Sequence, residues 1–195
     1  MWFIPCCTTD RPTLDPPTYC NDVTLAKNLP KFPVDINQPT LIAFVDAAYA
    51  NDPRKRRSTT GFVFTYCGGA IVYRSKTQPI VALSSTEAEF IAAVACAKIA
   101  RYLQSILTEL GFHSANPTPI YEDNASTIMI INARVPTERT RHIDVRYFAI
   151  QDWKEEGSIE MLHIPGVINP ADDLTKPLGW VLHARHARRF MGHYT

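Results

Sequence analysis

The chain predicts an α/β fold, a mixed five-stranded sheet flanked by helices, and three observations predict it. Five short apolar runs rich in β-branched and aromatic residues lie between turn signals. The first three follow one another closely and so pair as a meander. The last two each arrive after a helical stretch, which favours parallel pairing. The order is therefore β-β-β-α-β-α-α-β-α. Hydrophobic residues make up 46% of the 195 positions, enough for the core of one domain or of one domain with an appendage.

The elements follow in order. Residues 1–40 hold seven of the fifteen prolines (Pro5, Pro12, Pro16, Pro17, Pro30, Pro33 and Pro39) and sustain no periodic pattern. Proline fixes φ and removes a donor, so this stretch is expected as an irregular linker or tail. Residues 41–45 form an apolar run of the kind a buried strand needs, and the charged turn 51–57 follows. Residues 61–66 and 70–73 read as strands joined at Cys67-Gly68-Gly69, a hairpin signal. The longest helical candidate is 84–111, with Ser84, Ser85 or Thr86 as cap, an alanine-rich middle, and Gly111 as the stop. A strand over 118–121 precedes a helix over 125–131. A second, amphipathic helix covers 140–156, a fifth strand 158–164, and a last helix opens at Pro170. The expected boundaries are a tail at 1–40, a domain at 41–180, and a basic extension at 181–195.

Composition excludes several classes. A net charge of +1 rules out a uniformly cationic nucleic-acid coat, though not a local basic patch. The five cysteines (Cys6, Cys7, Cys20, Cys67, Cys96) are odd in number and lack zinc-site spacing. Cys67 and Cys96 lie in segments that read as core, which implies a reducing compartment and no disulfide framework. No stretch reads as a membrane span, and the opening Met-Trp-Phe-Ile-Pro-Cys-Cys lacks the basic leader and long apolar region of a signal peptide.

The chemistry lies in four acidic motifs: Asp46 in L-I-A-F-V-D-A-A-Y-A, Glu89 in L-S-S-T-E-A-E-F, Asp123 in I-Y-E-D-N, and Asp172 in N-P-A-D-D-L-T-K. Each has an ordinary explanation when taken alone. Asp46 can be a simple strand end, although aspartate is depleted in strands and costly to bury unpaired. Glu87 and Glu89 can both complement the helix dipole. Residues two apart cannot share a face, and Glu89, one turn before Ala93, is the better inward candidate, with Glu87 as the fallback. Asp123 can be an N-cap. One of Asp172 and Asp173 can cap a helix while the other binds metal. Together they read strand-end Asp, helix-start Glu, strand-end Asp, helix-start Asp. Carboxylates gathered this way repel unless a cation lies between them, and a pair of Mg²⁺ ions is the simplest such cation. The run Arg54-Lys55-Arg56-Arg57 just beyond Asp46 is an ordinary solvated turn or a contact for a nucleic-acid phosphate. His183, Arg185, His186, Arg188 and Arg189 form a second basic stretch.

These phrases carry a family likeness. V-D-A-A-Y-A-N-D, R-R-S-T-T-G-F-V-F, G-G-A-I-V-Y-R-S-K-T-Q-P-I-V-A-L-S-S-T-E-A-E-F, I-Y-E-D-N, R-T-R-H-I-D-V-R-Y-F and A-D-D-L-T-K-P-L, all between Phe44 and Leu178, resemble the ribonuclease H domain of copia-type LTR retrotransposon Pol polyproteins. The resemblance implies a ribonuclease H-like fold and a D-E-D-D metal site in which Asp46, Glu89, Asp123 and Asp172 hold two Mg²⁺ ions, with Mn²⁺ an alternative. It implies cleavage of the RNA strand of an RNA–DNA hybrid during reverse transcription. One ion would activate a water and the other would stabilise the leaving 3′ oxygen. Arg54, Arg57, Ser85, Thr86 and Asn124 are the implied hybrid contacts. The implied partners are the hybrid and the reverse transcriptase region of the same polyprotein, without a membrane. The setting would be a virus-like particle in the cytoplasm, or the nucleus. Arg141 and His142 belong to a signature typical of the type. One departure stands out: relatives often carry a histidine in a loop before the last aspartate, and Gly166-Val167-Ile168-Asn169 has none. His163 lies nearby but on the expected strand. The competing readings are a non-catalytic hybrid-binding or structural remnant of a decayed element, or the same fold turned to DNA strand transfer or a resolvase.

Overall fold

The structure, a computed structural model, describes residues 39–112, 116–133 and 144–191. Residues 1–38 of the expected tail, with Cys6, Cys7 and Cys20, and also Arg141 and His142, lie outside the described residues. The strands are β1 (Ile42–Ala48), β2 (Thr59–Tyr66), β3 (Gly69–Thr77), β4 (Thr118–Glu122) and β5 (Ile159–His163). They form one sheet in the order β3-β2-β1-β4-β5. β1 pairs antiparallel with β2 and parallel with β4, so the sheet is mixed, as expected.

β1 lies at the centre because it is apolar on both faces, and six of its seven residues are buried. Its alternation sends Ala43, Val45 and Ala47 to one side and Ile42, Phe44 and Asp46 to the other. The first set joins Phe62 and Phe64 of β2 in the main core. On the second side Phe44 stacks on Tyr121 of β4, ring centroids 5.3 Å apart.

The helix α1 (Ser85–Glu109) covers the first face. Ala88, Ala92, Ala93, Ala97 and Ala100 are all fully buried, so the helix approaches the strands closely without large side chains between. By length and composition α1 is apolar enough to cross a membrane, contrary to the expectation that no stretch is. Its apolar surface is instead used against the sheet, where those alanines lie. At its end Gly111 takes φ +83°, with Phe112 N–H donating to the Leu107 carbonyl at 2.7 Å. A residue with a Cβ is strained there.

Two further helices, α2 (Ala125–Asn132) and α3 (Asp144–Glu155), stand in the connection from β4 to β5. The buried Gln151 amide ties them by donating to the Ile131 carbonyl and, at 2.8 Å, to the Ala133 carbonyl.

Two sequence expectations are corrected. The last helix does not open at Pro170: residues Pro170–Leu174 form a single 3₁₀ turn, and α4 (Trp180–Phe190) begins only after Pro177 and Gly179. Proline at 177 removes a donor and disfavours helix at the residue before it. Cys67 is not core but exposed, at the tip of the β2–β3 hairpin. Cys67 and Gly68 take φ +48° and +81°, the positive pair that a two-residue primed turn demands.

Candidate metal centre

The carboxyl ends of β1 and β4 lie side by side, and α1 begins beside them. Asp46 is the fifth residue of β1 and Asp123 follows β4 directly, so parallel pairing delivers both to one end of the sheet. Glu89 reaches the same point from the first turns of α1. One carboxylate oxygen from each of Asp46, Glu89 and Asp123 lies within 4.8 Å of the others. The spacing suits oxygens around a hard divalent cation, which takes carboxylate ligands.

Burial sharpens the electrostatics. Glu89 is 7% exposed, and its Oε2 has no hydrogen-bond partner. Burial, followed by the charges of Glu122, Asp46 and Asp123, pushes its pKa up to about 11. Burial and the Asp46 charge also raise Asp123. Two carboxylates of the cluster, Glu89 and Asp123, so averse to holding their charge, fit a site built around a cation, because only opposite charge makes the ionised form favourable.

Asp172 lies at the rim, on the 3₁₀ turn, and is not one of the three that share the 4.8 Å grouping. Burial, with the charges of Asp46 and Asp123 adding to it, raises its pKa to about 6, and Lys176 opposes that rise. Lys176 Nζ stands 2.9 Å from Asp172 Oδ1. Burial works against the Lys176 charge, but Asp172, Asp46 and Asp123 outweigh it and hold the ammonium above its usual range.

The turn is fastened to β1 at two points. Asn169 Nδ2 donates to the Val45 carbonyl at 2.9 Å, and the Thr175 hydroxyl donates to Asp46 Oδ2. Gly61, the β2 partner of Asp46, makes this approach possible. A Cβ there would stand 2.5 Å from Thr175 Cγ2 and 2.9 Å from Leu174 Cβ. Gly166 gives similar clearance to Asp123, since a Cβ would lie 2.6 Å from Asp123 Oδ2.

Glu87 and Glu89 stand in different surroundings, only Glu89 belonging to the carboxylate group. Ser84 caps α1, its Oγ accepting from Glu87 N–H at 3.1 Å, while Glu87 Oε2 accepts from Leu83 N–H at 2.7 Å. Glu87 therefore serves the helix start. Asp123 is likewise not the cap of α2, because Asn124 Oδ1 accepts from Thr127 N–H at 3.1 Å and takes that part. Neither Asp172 nor Asp173 caps its turn. Asn169 does, and Asp173 faces His183 at 3.3 Å.

Of the expected hybrid contacts, Ser85 and Thr86 occupy the first turn of α1 and Asn124 stands next to Asp123. Arg57 lines a groove between β3 and α1, whereas Arg54 projects from the exposed 51–57 turn. His163, on β5, is exposed.

Sequence reasoning missed Lys176 and Glu122. Glu122 is fully buried and held well above the usual carboxylate range, chiefly by burial with the charges of Asp123 and Asp46 adding to it, and its Oε1 accepts from Asn124 N–H at 3.1 Å. Alternation along β4 carried the signal: Thr118, Ile120 and Glu122 share the face turned to α1.

No protein-family model matches the chain. It resembles the solved LC11-RNase H1 isolated from compost, with TM-score 0.53 and 18% identity, over 71% of this chain and 94% of that one. The same enzyme in complex with an RNA/DNA hybrid gives TM-score 0.53 at 16% identity, over 70% and 94% of the two chains. The fold is thus the ribonuclease H fold.

Sequence relatives narrow the class. The chain is 43% identical over 140 residues, 72% of its length, to the Retrovirus-related Pol polyprotein from transposon TNT 1-94 of Nicotiana tabacum. It is 32% identical over 153 residues, 78% of its length, to that from transposon RE2 of Arabidopsis thaliana. It spans only 10% of the length of each of these relatives. The chain belongs with the ribonuclease H domains of copia-type retrotransposon Pol polyproteins.

Proposed function

We propose that this chain is a metal-dependent endoribonuclease that cleaves the RNA strand of RNA–DNA hybrids during reverse transcription of a mobile element. The observation that carries this is the convergence of Asp46, Glu89 and Asp123 oxygens within 4.8 Å at the strand ends of a ribonuclease H fold. Hybrid bound to a structural neighbour of the same fold supports the substrate class.

Asp46 and Asp123 would hold metal from two adjacent strands, Glu89 would close the site from α1, and Asp172 would complete it from the rim. The all-carboxylate donor set fits Mg²⁺, with Mn²⁺ as a substitute. Divalent cations bound there would supply a more acidic water and charge stabilisation for the leaving oxygen. Thr175 holds Asp46 in position through its hydroxyl, and Lys176 keeps Asp172 closer to its ionised form. Ser85 and Thr86, in the first turn of α1, and Asn124, next to Asp123, would donate to the sugar–phosphate backbone, where 2′-hydroxyls distinguish RNA from DNA. The reverse transcriptase region of the same polyprotein would present the hybrid, in a cytoplasmic particle or the nucleus.

The test is cleavage of a labelled RNA–DNA hybrid with and without Mg²⁺, with RNA and DNA duplexes as controls. Loss of the RNA strand only in the hybrid, only with metal, is expected. Asp123→Asn should abolish cleavage and leave hybrid binding largely intact, and an active Asp123→Asn protein would sink the proposal. Hybrid binding with no cleavage in Mg²⁺ or Mn²⁺ would favour the non-catalytic reading.

A further inference from the structure

The turn that carries Asp172 cannot hold its own position. It is a single 3₁₀ turn, Pro170–Leu174, and so short a piece has little stability apart from its surroundings. Gly166 in the loop before it clears Asp123, Asn169 reaches the Val45 carbonyl, and Thr175 reaches Asp46. A further hold comes from α4, which packs against this turn and against β3.

α4 does not dock as an amphipathic helix ordinarily does, through an apolar stripe. Its two buried residues are polar, His186 and Arg189, while Trp180 and Val181 at its start stay exposed. Arginine is rarely buried without a partner, so the bonds of that inward face decide where the helix sits.

Those bonds flank Asp172. Arg189 Nη1 donates to the Ile168 carbonyl at 2.6 Å, and Ile168 immediately precedes Asn169, the cap of the turn. His183 Nδ1 stands 3.3 Å from Asp173 Oδ1, on the residue that follows Asp172. His183, His186 and Arg189 are spaced three apart and so share one helix face. His186, buried between the other two, is pushed down to about 4, by burial first and then by the charges of Arg189, Arg185 and His183, so it stays neutral there. An apolar side chain at 189 would bury more readily. A guanidinium adds a directed bond to one main-chain carbonyl, and that bond fixes position.

We propose that α4 is a strap that sets the position of Asp172 at the metal centre, with Arg189 and His183 as its positioning residues. This rests on the reading of Asp172 as a member of that centre. Arg189 acts at a distance from the reacting atoms. It fixes Ile168, and the next residue, Asn169, caps the turn and bonds the strand beside Asp46. His183 holds the turn from its far end.

The test is amide hydrogen exchange of the full metal-free chain, read residue by residue, beside steady-state cleavage of labelled hybrid at saturating Mg²⁺. The N–H groups of Ala171, Thr175 and Lys176 report on the turn, since they donate to Asn169 Oδ1 and to the Asp172 carbonyl at 3.1 Å. Arg189→Met keeps much of the stem and loses the donor. It should speed exchange at these three amides roughly tenfold or more, while amides of β1 and α1 keep the parent rates. kcat should fall about tenfold with KM within about twofold of parent, because a displaced carboxylate harms the step rather than hybrid binding. Arg189→Lys restores a donor and should recover part of both losses. His183→Ala removes an exposed side chain and should speed Thr175 and Lys176 more than Ala171. Arg188→Met takes an exposed charge from the same helix and should match parent throughout.

Parent exchange at the turn in Arg189→Met would overturn the strap. So would exchange that rises as much in β1 and α1, because Arg189 would then serve general stability. A loosened turn with parent kcat would overturn the link to Asp172, and an equal loss in Arg188→Met would reduce the effect to charge alone. Should Arg189→Met fail to fold, parent exchange at Thr175 and Lys176 in His183→Ala would overturn the strap by itself. Exchange needs no cleavage, so the two proposals fail separately. A chain that never cuts hybrid overturns the enzyme, and the exchange of the turn still decides the strap.

Discussion

Gly61→Ala is the sharpest single perturbation of the site that leaves every carboxylate unsubstituted. The new Cβ would stand 2.5 Å from Thr175 Cγ2, 2.9 Å from Leu174 Cβ and 3.0 Å from the Ala171 carbonyl. Ordinary contact begins near 3.4 Å, so the 3₁₀ turn and Thr175 must retreat by about 0.9 Å. Two of the three atoms struck belong to the backbone or to a Cβ, which cannot rotate aside. Overpacking of this kind costs about 1–3 kcal/mol. In a domain of this size each kcal/mol moves Tm by about 2–4 °C, so a fall of roughly 2–12 °C is expected by calorimetry. Activity should suffer more than stability. The turn carries Asp172, and Thr175 holds Asp46, so the shift separates rim from strand ends by nearly 1 Å. A displacement of that size at a reacting centre can cost about 100-fold in turnover. Thr175→Ser on the same background removes the struck Cγ2, keeps the hydroxyl to Asp46, and should recover part of both losses. Gly61→Ala with the parent Tm and the parent rate would refute the claim that the bare β2 position sets the turn.

Three further outcomes are expected. Glu89→Gln removes a buried carboxylate that resists ionising, so without metal the variant should melt several degrees higher at pH 7 while losing metal-dependent cleavage. The sign with pH follows. The folded pKa values of Asp172 and Glu89 lie above their unfolded values, so their stability contribution is full at low pH. It fades as pH rises, from about 4 to 6 for Asp172 and toward about 11 for Glu89. Metal-free protein should therefore lose Tm between pH 4 and 7, and Mg²⁺ should flatten that fall. Lys176→Ala removes the cation that opposes the rise of Asp172, so the acidic limb of the pH–rate profile should move above pH 6. Glu87→Ala takes away the acceptor for Leu83 N–H, costing about 1 kcal/mol in a denaturant melt, and should leave turnover at saturating Mg²⁺ close to parent.

Much of the fold was legible because its signals are local. Period-2 alternation, the alanine run of α1, Gly111 and the Cys67-Gly68 turn are each written in a few adjacent residues. The errors came where the same local signal has two meanings. Cys67 reads as core by residue type, yet positive φ at the hairpin tip leaves it exposed. Pro170 opens helices well, but five residues later the turn has ended, and Pro177 stands between it and α4.

The sequence by itself determined that Asp46 belongs to the first strand, Glu89 to the start of the long helix and Asp123 to the end of the fourth strand, because the position of an acid along a strand or helix is a one-dimensional fact. Tertiary structure decided which of them meet. It turned Glu87 back to the Leu83 N–H ahead of the helix and left Glu89 inward, gave capping to Asn124 and Asn169 instead of the aspartates, and buried Glu122 against the cluster. It also brought Lys176 to Asp172 and Arg189 to the Ile168 carbonyl. Such pairings join residues far apart in the chain. They depend on strand register and on the clearance at Gly61, distances that no short stretch of sequence encodes.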